Sequence, residues 1–170
     1  LLEGVVKPEG GKPRVLISAR LEARKNIAEA LRALAEVDQS SYELVVTGVG
    51  PEKRKLERLA RELELPACFL GGLSVDELID QYRAAHILLS TSRSEGFGLA
   101  VLEGMAAGCA VVASNKPAHS EIIEHGKDGF LYNRVEELVE YLNALLKDPS
   151  AIRILRESGR MKARQYTWSR

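Results

Sequence analysis

Six short apolar runs punctuate the chain, at residues 15–18 (VLIS), 42–47 (YELVVT), 67–70 (ACFL), 86–89 (HILL), 110–113 (AVVA) and 129–132 (GFLY). Each has the length of a strand and is nearly all apolar, as expected of strands buried on both faces. Between the runs the apolar residues change period. Ile27, Ala30, Leu31 and Leu34 fall on one helical face, as do Leu56, Leu59, Ala60 and Leu63, and then Leu78, Ile79 and Tyr82. Val135, Leu138, Val139, Leu142, Leu145 and Leu146 make the longest such stripe. Strand alternating with helix predicts a parallel sheet covered on both faces: a single α/β domain, Rossmann-like and doubly wound, of about six strands.

The punctuation between elements agrees. Pro51 suits a first helical turn, and Ser74 with Glu77 makes a capping box. Asn133 and Glu136 form a second capping pair. Asp148-Pro149 ends one helix and caps the next, which should run to about residue 165. Residues 117–124 read as a short helix. Pro8, Gly10, Gly11 and Pro13 mark residues 1–13 as a linker, so the folded domain occupies residues 14–170.

Charge and composition narrow the chemistry. Lysine plus arginine and aspartate plus glutamate each number 24, so no overall field draws the chain to nucleic acid or to an acidic membrane. Any anion site must be local. Cys68 and Cys109 are far apart and lie next to apolar runs, which predicts two buried thiols in a reducing compartment rather than a disulfide or a metal pair. His86, His119 and His125 lack metal-ligand spacing and are expected to be structural or solvated. No Ser-His-Asp or Cys-His constellation is evident. No apolar run reaches the length of a membrane span, and no signal-peptide pattern opens the chain.

The chemistry-bearing stretch is residues 92–114, SRSEGFGLAVLEGMAAGCAVVAS. A polar loop and the turn Glu95-Gly96-Phe97-Gly98 lead into a helix over residues 99–107, closed by Gly108 before the next strand. Gly96 and Gly98 let the backbone approach a ligand closely. The first N–H groups of the helix lack intrahelical partners, which makes a site for phosphate. Glu95 and Glu103, with seven residues between them, frame it. A carboxylate is a poor anion ligand but a good acceptor for sugar hydroxyls. The combination suggests a nucleotide or a sugar joined to phosphate. The same residues also fit an ordinary turn with two solvated glutamates, since a short Gly-x-Gly is weak evidence.

EGFGLAVLEGMAAGCAVVAS resembles the E-x7-E region of the retaining, nucleotide-sugar-dependent glycosyltransferases of family four, where it lies in the second of two Rossmann-like domains. The resemblance extends from about Val15 to Trp168. It implies the donor-binding C-terminal half of such an enzyme, of GT-B architecture, with the acceptor-binding N-terminal domain absent from this chain. On that basis Arg20 and Lys25, five positions apart after the first strand, contact the donor diphosphate. Gly96, Phe97, Gly98 and Leu99 line the donor, Glu103 accepts from the ribose hydroxyls, and Glu95 orients the transferred sugar. Gly48 and Gly50 resemble the family's second glycine loop, although an ordinary turn between strand and helix accounts for them equally well. The resemblance implies no cofactor and no metal, Arg20, Lys25 and the helix N-terminus supplying the counter-charge. The substrate is then a nucleotide-diphosphate sugar. It also implies a cytoplasmic protein, membrane-peripheral only through the absent domain, and a fragment that binds donor without transferring sugar. Residues 166–169 (YTWS) resemble the motif before the family's final helix. Ala19 stands where Gly is usual, Ala110 where Pro is usual and Gly104 where Ala is usual. Gly104 costs about 1 kcal/mol in a helix interior, and the sequence alone offers no account of it. Two other readings remain: half of a sugar-nucleotide epimerase, or a stand-alone nucleotide-sugar-binding module.

Overall fold

The computed structural model describes residues 10–166. Most of the expected linker and the last three residues of the YTWS stretch lie outside the described residues. Within them the elements run β1 (Arg14–Ser18), α1 (Ile27–Ala35), β2 (Glu43–Thr47), α2 (Lys53–Glu62), β3 (Ala67–Gly71), α3 (Val75–Ala84), β4 (Ile87–Ser90), α4 (Leu99–Ala106), β5 (Ala110–Ser114), α5 (Pro117–Ser120), β6 (Phe130–Tyr132), α6 (Val135–Lys147) and α7 (Pro149–Ala163).

All six strands are parallel and lie in the order β3-β2-β1-β4-β5-β6. The order reverses between β1 and β4. In open α/β sheets that switch point leaves a crevice at the carboxyl ends of the strands, where ligands bind. Alternate residues of each strand feed separate cores. Val15, Ile17, Leu44, Val46, Ile87 and Leu89 pack under α1, α2 and α6. Leu16, Val45, Leu88 and Val111 pack under α3 and α4. Burial on both faces explains why these strands read as unbroken apolar runs.

The structure corrects several local expectations. Cys109 is buried, but Cys68 is exposed. It sits on the edge strand β3, whose residues alternate between half-buried and exposed, and an apolar run at a sheet edge gains cover from only one side. The cap of α6 lies one residue later than expected: the Glu137 carboxylate, not Glu136, accepts from the backbone N–H of Asn133 (2.7 Å) and Arg134 (3.3 Å). Pro51 sits in the turn ahead of α2 rather than inside its first turn. The helix expected over 117–124 is the single turn of α5. Ser74 and Glu77 do form the capping box of α3, and Asp148 ends α6 and caps α7 through Ser150. Gly104 also finds its reason. A Cβ there would overlap the Leu88 side chain, with Leu88 Cβ itself only 3.2 Å away, so the glycine lets α4 lie directly on β4.

Candidate functional site

The site is assembled at the carboxyl ends of β1 and β4. After Ser18 the chain passes Ala19 to Glu22 and makes one 3-10 turn, Ala23–Lys25. Asn26 then takes a left-handed conformation (φ 50°, ψ 35°) and opens α1. This tight reversal turns Lys25 inward. The loop after β4 comes up against it. The Thr91 hydroxyl, itself buried, donates to the Lys25 and Asn26 carbonyls (3.1 and 3.0 Å), and the Arg93 N–H donates to the Arg24 carbonyl (2.8 Å).

Two of the expected site residues meet there. The Lys25 ammonium donates to both oxygens of Glu95, at 2.8 and 2.6 Å, with side chains only 12% and 17% exposed. Burial pushes the Glu95 carboxyl up, but hydrogen bonds from Lys25 and Ser92, with the charges of Lys25 and His119, outweigh it and hold the carboxyl below the ordinary range. The Glu95 carboxyl is therefore ionised at neutral pH. Arg20 does not join it. Its side chain is 72% exposed and pairs with Glu22 at 2.7 Å, and Glu22 also holds Arg24 at 2.9 Å. Glu22 had no signal in the sequence as a site residue. Its role depends on the reversal of the chain after β1, which no motif announces.

Gly98 caps α4 in the left-handed region (φ 77°). Within the described residues the backbone N–H groups of Leu99 and Ala100 have no main-chain acceptor, as the first turn of a helix requires. Phe97 and Leu99 are about half exposed, at 48% and 49%, and form an apolar rim on this turn. Glu103 is the fifth residue of α4, little more than one turn from the helix start. One of its oxygens accepts from the Tyr82 hydroxyl at 2.8 Å.

Gly48 (φ +124°) and Gly50 have a reason in the backbone. A Cβ on Gly48 would overlap the Ala19 carbonyl, and one on Gly50 would lie 2.6 Å from the Leu21 carbonyl carbon. The loops after β1 and β2 are therefore in main-chain contact, joined by Leu21 N–H to Val49 O (2.9 Å) and Glu52 N–H to Leu21 O (2.9 Å). Both glycines thus have a packing role, independent of any ligand. Gly96 has open space around its α-carbon.

Within electrostatic reach of the Lys25–Glu95 pair lies His119, 1% exposed. Its Nδ1 donates to the Ser114 carbonyl (2.8 Å), leaving Nε2 to face the Ser90 hydroxyl at 3.4 Å. All three histidines are structural: His86 Nδ1 accepts from the Arg14 N–H and His125 Nδ1 from the Leu131 N–H. His119 lies close enough to Lys25 and Glu95 to feel both charges, a role that the scatter of histidines along the sequence could not show. Burial, reinforced by Lys25, keeps its pKa below the ordinary 6.5, against the opposing pull of the Ser114 carbonyl and Glu95. The unfolded chain therefore binds the proton at higher pH than the folded one, and His119 costs stability as pH falls below its unfolded value. The melting temperature should fall between about pH 7 and about pH 5, and fall less in His119→Gln. Equal falls in the two proteins would remove His119 as the source.

The family model described as "Glycosyl transferases group 1" matches residues 3–165. Among curated proteins, the sulfoquinovosyl transferase SQD2 of Arabidopsis thaliana is 33% identical over 165 residues, covering 94% of this chain and 32% of that protein. The alpha-monoglucosyldiacylglycerol synthase of Streptococcus pneumoniae is 33% identical over 146 residues, covering 83% and 33%. The chain thus spans about a third of these relatives' length. Among solved structures, the C-terminal domain of the group 1 family protein LpcC from Francisella tularensis superposes with a TM-score of 0.85 at 26% identity, covering 94% of this chain and 88% of that one. The Anabaena protein HepE, solved with UDP and glucose, shares the fold at a TM-score of 0.83 and 24% identity, over 91% and 44%.

Proposed function

This chain belongs to the group 1 glycosyl transferase family, and from that premise we propose that it is the donor-binding half of a retaining glycosyltransferase, moving a sugar from a nucleotide-diphosphate sugar to an acceptor hydroxyl. The observation that carries the proposal is the Lys25–Glu95 pair, a cation and a hydroxyl acceptor held together at the loop that leads to the free N–H groups of α4. As the glycosidic bond breaks, negative charge accumulates on the leaving diphosphate. Lys25 and the first amides of α4 are fixed before the reaction begins, so they stabilise that charge without reorganising. Arg20 reaches the diphosphate from the rim, after exchanging Glu22 for the phosphate. Glu95 shares Lys25 with the donor and accepts from hydroxyls of the transferred sugar, and Glu103 accepts from the ribose. Gly96 and Gly98 keep this turn open to the diphosphate, and Phe97 and Leu99 border it.

The counter-charge is assigned to these side chains and amides, not to a divalent cation. Affinities for a nucleoside diphosphate measured in EDTA and in magnesium should therefore agree. The acceptor pocket is assigned to a further domain of the parent protein. The reading places the protein in the cytoplasm, any membrane contact being made by that domain. Among the described residues no helix is long and apolar enough to cross a membrane. The matched family is one of transferases, which leaves the epimerase reading without support.

Calorimetry with UDP, GDP and ADP, and with their sugar conjugates, tests the assignment. At least one nucleoside diphosphate should bind with a Kd on the order of micromolar to millimolar, the range expected of a site left open on one side. Absence of binding across the panel at millimolar concentration would sink the donor-binding role.

A further inference from the structure

Tyr82 lies in a place that donor binding as described above does not use. It sits on α3, one helix before the glutamate it touches, and is 1% exposed. Its ring packs in the core layer with Leu16, Leu88 and Met105. The hydroxyl emerges at the edge of that layer and donates to Glu103 Oε2 at 2.8 Å. The Ser18 side chain, at the carboxyl end of β1, lies near enough to the Tyr82 hydroxyl to favour its ionised form, against the larger opposing effects of burial and Glu103. Burial and the Glu103 charge both hold the Tyr82 hydroxyl well above its ordinary pKa, so it stays a donor across any working pH. The result is a directed bond from α3 to α4, its donor held in the core and backed by Ser18 of β1.

A free glutamate on a helix surface rotates about three bonds and presents its oxygens in many directions. One fixed oxygen removes most of that freedom. Oε1, which has no hydrogen-bond partner among the described residues, is then left at one place and one angle. A vicinal diol meets such an acceptor with two donors in a fixed geometry, whereas a 2′-deoxyribose offers only one.

We propose that Tyr82 is the positioning residue that aims Glu103 at the ribose diol, and that this bond makes the domain select ribonucleotides over 2′-deoxyribonucleotides. The inference rests on the donor-binding reading, which places the ribose at Glu103. A tyrosine serving only to fill the core would support the affinities for both sugars alike, so the ratio of the two affinities separates positioning from packing.

The test is calorimetry of the 170-residue chain with UDP, GDP and their 2′-deoxy counterparts. The unaltered chain should prefer the ribonucleotide about tenfold, the scale of one hydrogen bond to a charged acceptor. Tyr82→Phe keeps the ring and removes only the hydroxyl. It should lose most of that preference, its affinity for the 2′-deoxynucleotide falling much less than that for the ribonucleotide. On a Glu103→Gln background the same substitution should change the ratio little further. Ser18→Ala, which leaves the tyrosine in place, should lower the preference by a smaller factor, and it serves if Tyr82→Phe does not fold.

Failure has distinct forms. If the unaltered chain binds neither kind of nucleotide, the donor-binding reading falls and this inference with it. If it binds ribo- and 2′-deoxynucleotides equally, donor binding stands and the inference is overturned. A preference that survives intact in Tyr82→Phe and Ser18→Ala overturns it too. So does an equal loss of both affinities in Tyr82→Phe, which marks the hydroxyl as structural support.

Discussion

Lys25→Met should cost about a hundredfold or more in affinity for a nucleoside diphosphate, while Glu95→Gln should leave that affinity unchanged or raise it. The two residues form one ion pair, yet their removal acts in opposite directions. Losing Lys25 removes a charge-assisted contact worth about 1.5–3 kcal/mol. It also leaves the Glu95 carboxylate facing the incoming anion. At a separation of about 5 Å and an effective dielectric constant of about 20, that repulsion adds roughly 3 kcal/mol. Glu95→Gln does the reverse, because it releases a cation whose partner had neutralised it. The double variant should fall between the two. Stability moves differently: Lys25→Met leaves a largely buried carboxylate unpaired and should lower the melting temperature, while Glu95→Gln leaves the ammonium to water or ligand. Titration calorimetry of the three variants gives the signs directly. Parallel losses in Lys25→Met and Glu95→Gln would show that the pair acts as a structural clasp and not as a diphosphate site.

Gly48→Ala should destabilise the fold by about 3 kcal/mol or more, which for a domain of this size lowers the melting temperature by roughly 6–12 °C. Two costs add. The backbone at 48 has φ +124°, a conformation that side chains rarely adopt. The new methyl would also be driven into the Ala19 carbonyl, a main-chain group held by the β1–β2 ladder and by the Leu21–Val49 hydrogen bond. Neither strand can move away without breaking that ladder. Gly126→Ala is the control. Gly126 has φ +79° but open space around its α-carbon, so it should show the conformational cost alone, about 1 kcal/mol. Similar shifts in thermal melts of the two variants would discard the close approach of the loops as a source of stability.

The strands were legible in the sequence because parallel strands buried on both faces must be apolar throughout, and residues 15–17, 87–89 and 110–113 are. The edge strand β3 shows the limit of that rule. Its run of ACFL looks the same in sequence as a central strand, but the neighbour that would bury Cys68 is missing. The glycine turn with its two glutamates was legible because the spacing of Glu95 and Glu103 is local to one loop and one helix. What surrounds them was not. Lys25 and Glu95 are 70 residues apart, and their pairing depends on the reversal of strand order at β1 and β4. Glu22, Tyr82 and His119 reach the site from a loop and two different helices through contacts with no sequence period. Gly104 looked like a weakness in its helix because helix propensity counts only the helix. Its cause lies in Leu88 on the sheet below.

The seam between β1 and β4 joins the first half of the chain to the second, and the site lies across it. The Lys25–Glu95 pair, the Thr91 bonds to the 25 and 26 carbonyls, and the Arg93–Arg24 bond each have one partner on either side. A ligand held by both sides therefore acts as a cross-link between halves that are otherwise joined in the sheet through the β1–β4 ladder. Any partial opening that parts the halves also destroys the binding site. Ligand binding free energy is consequently added in full to that opening, and not to fluctuations within either half.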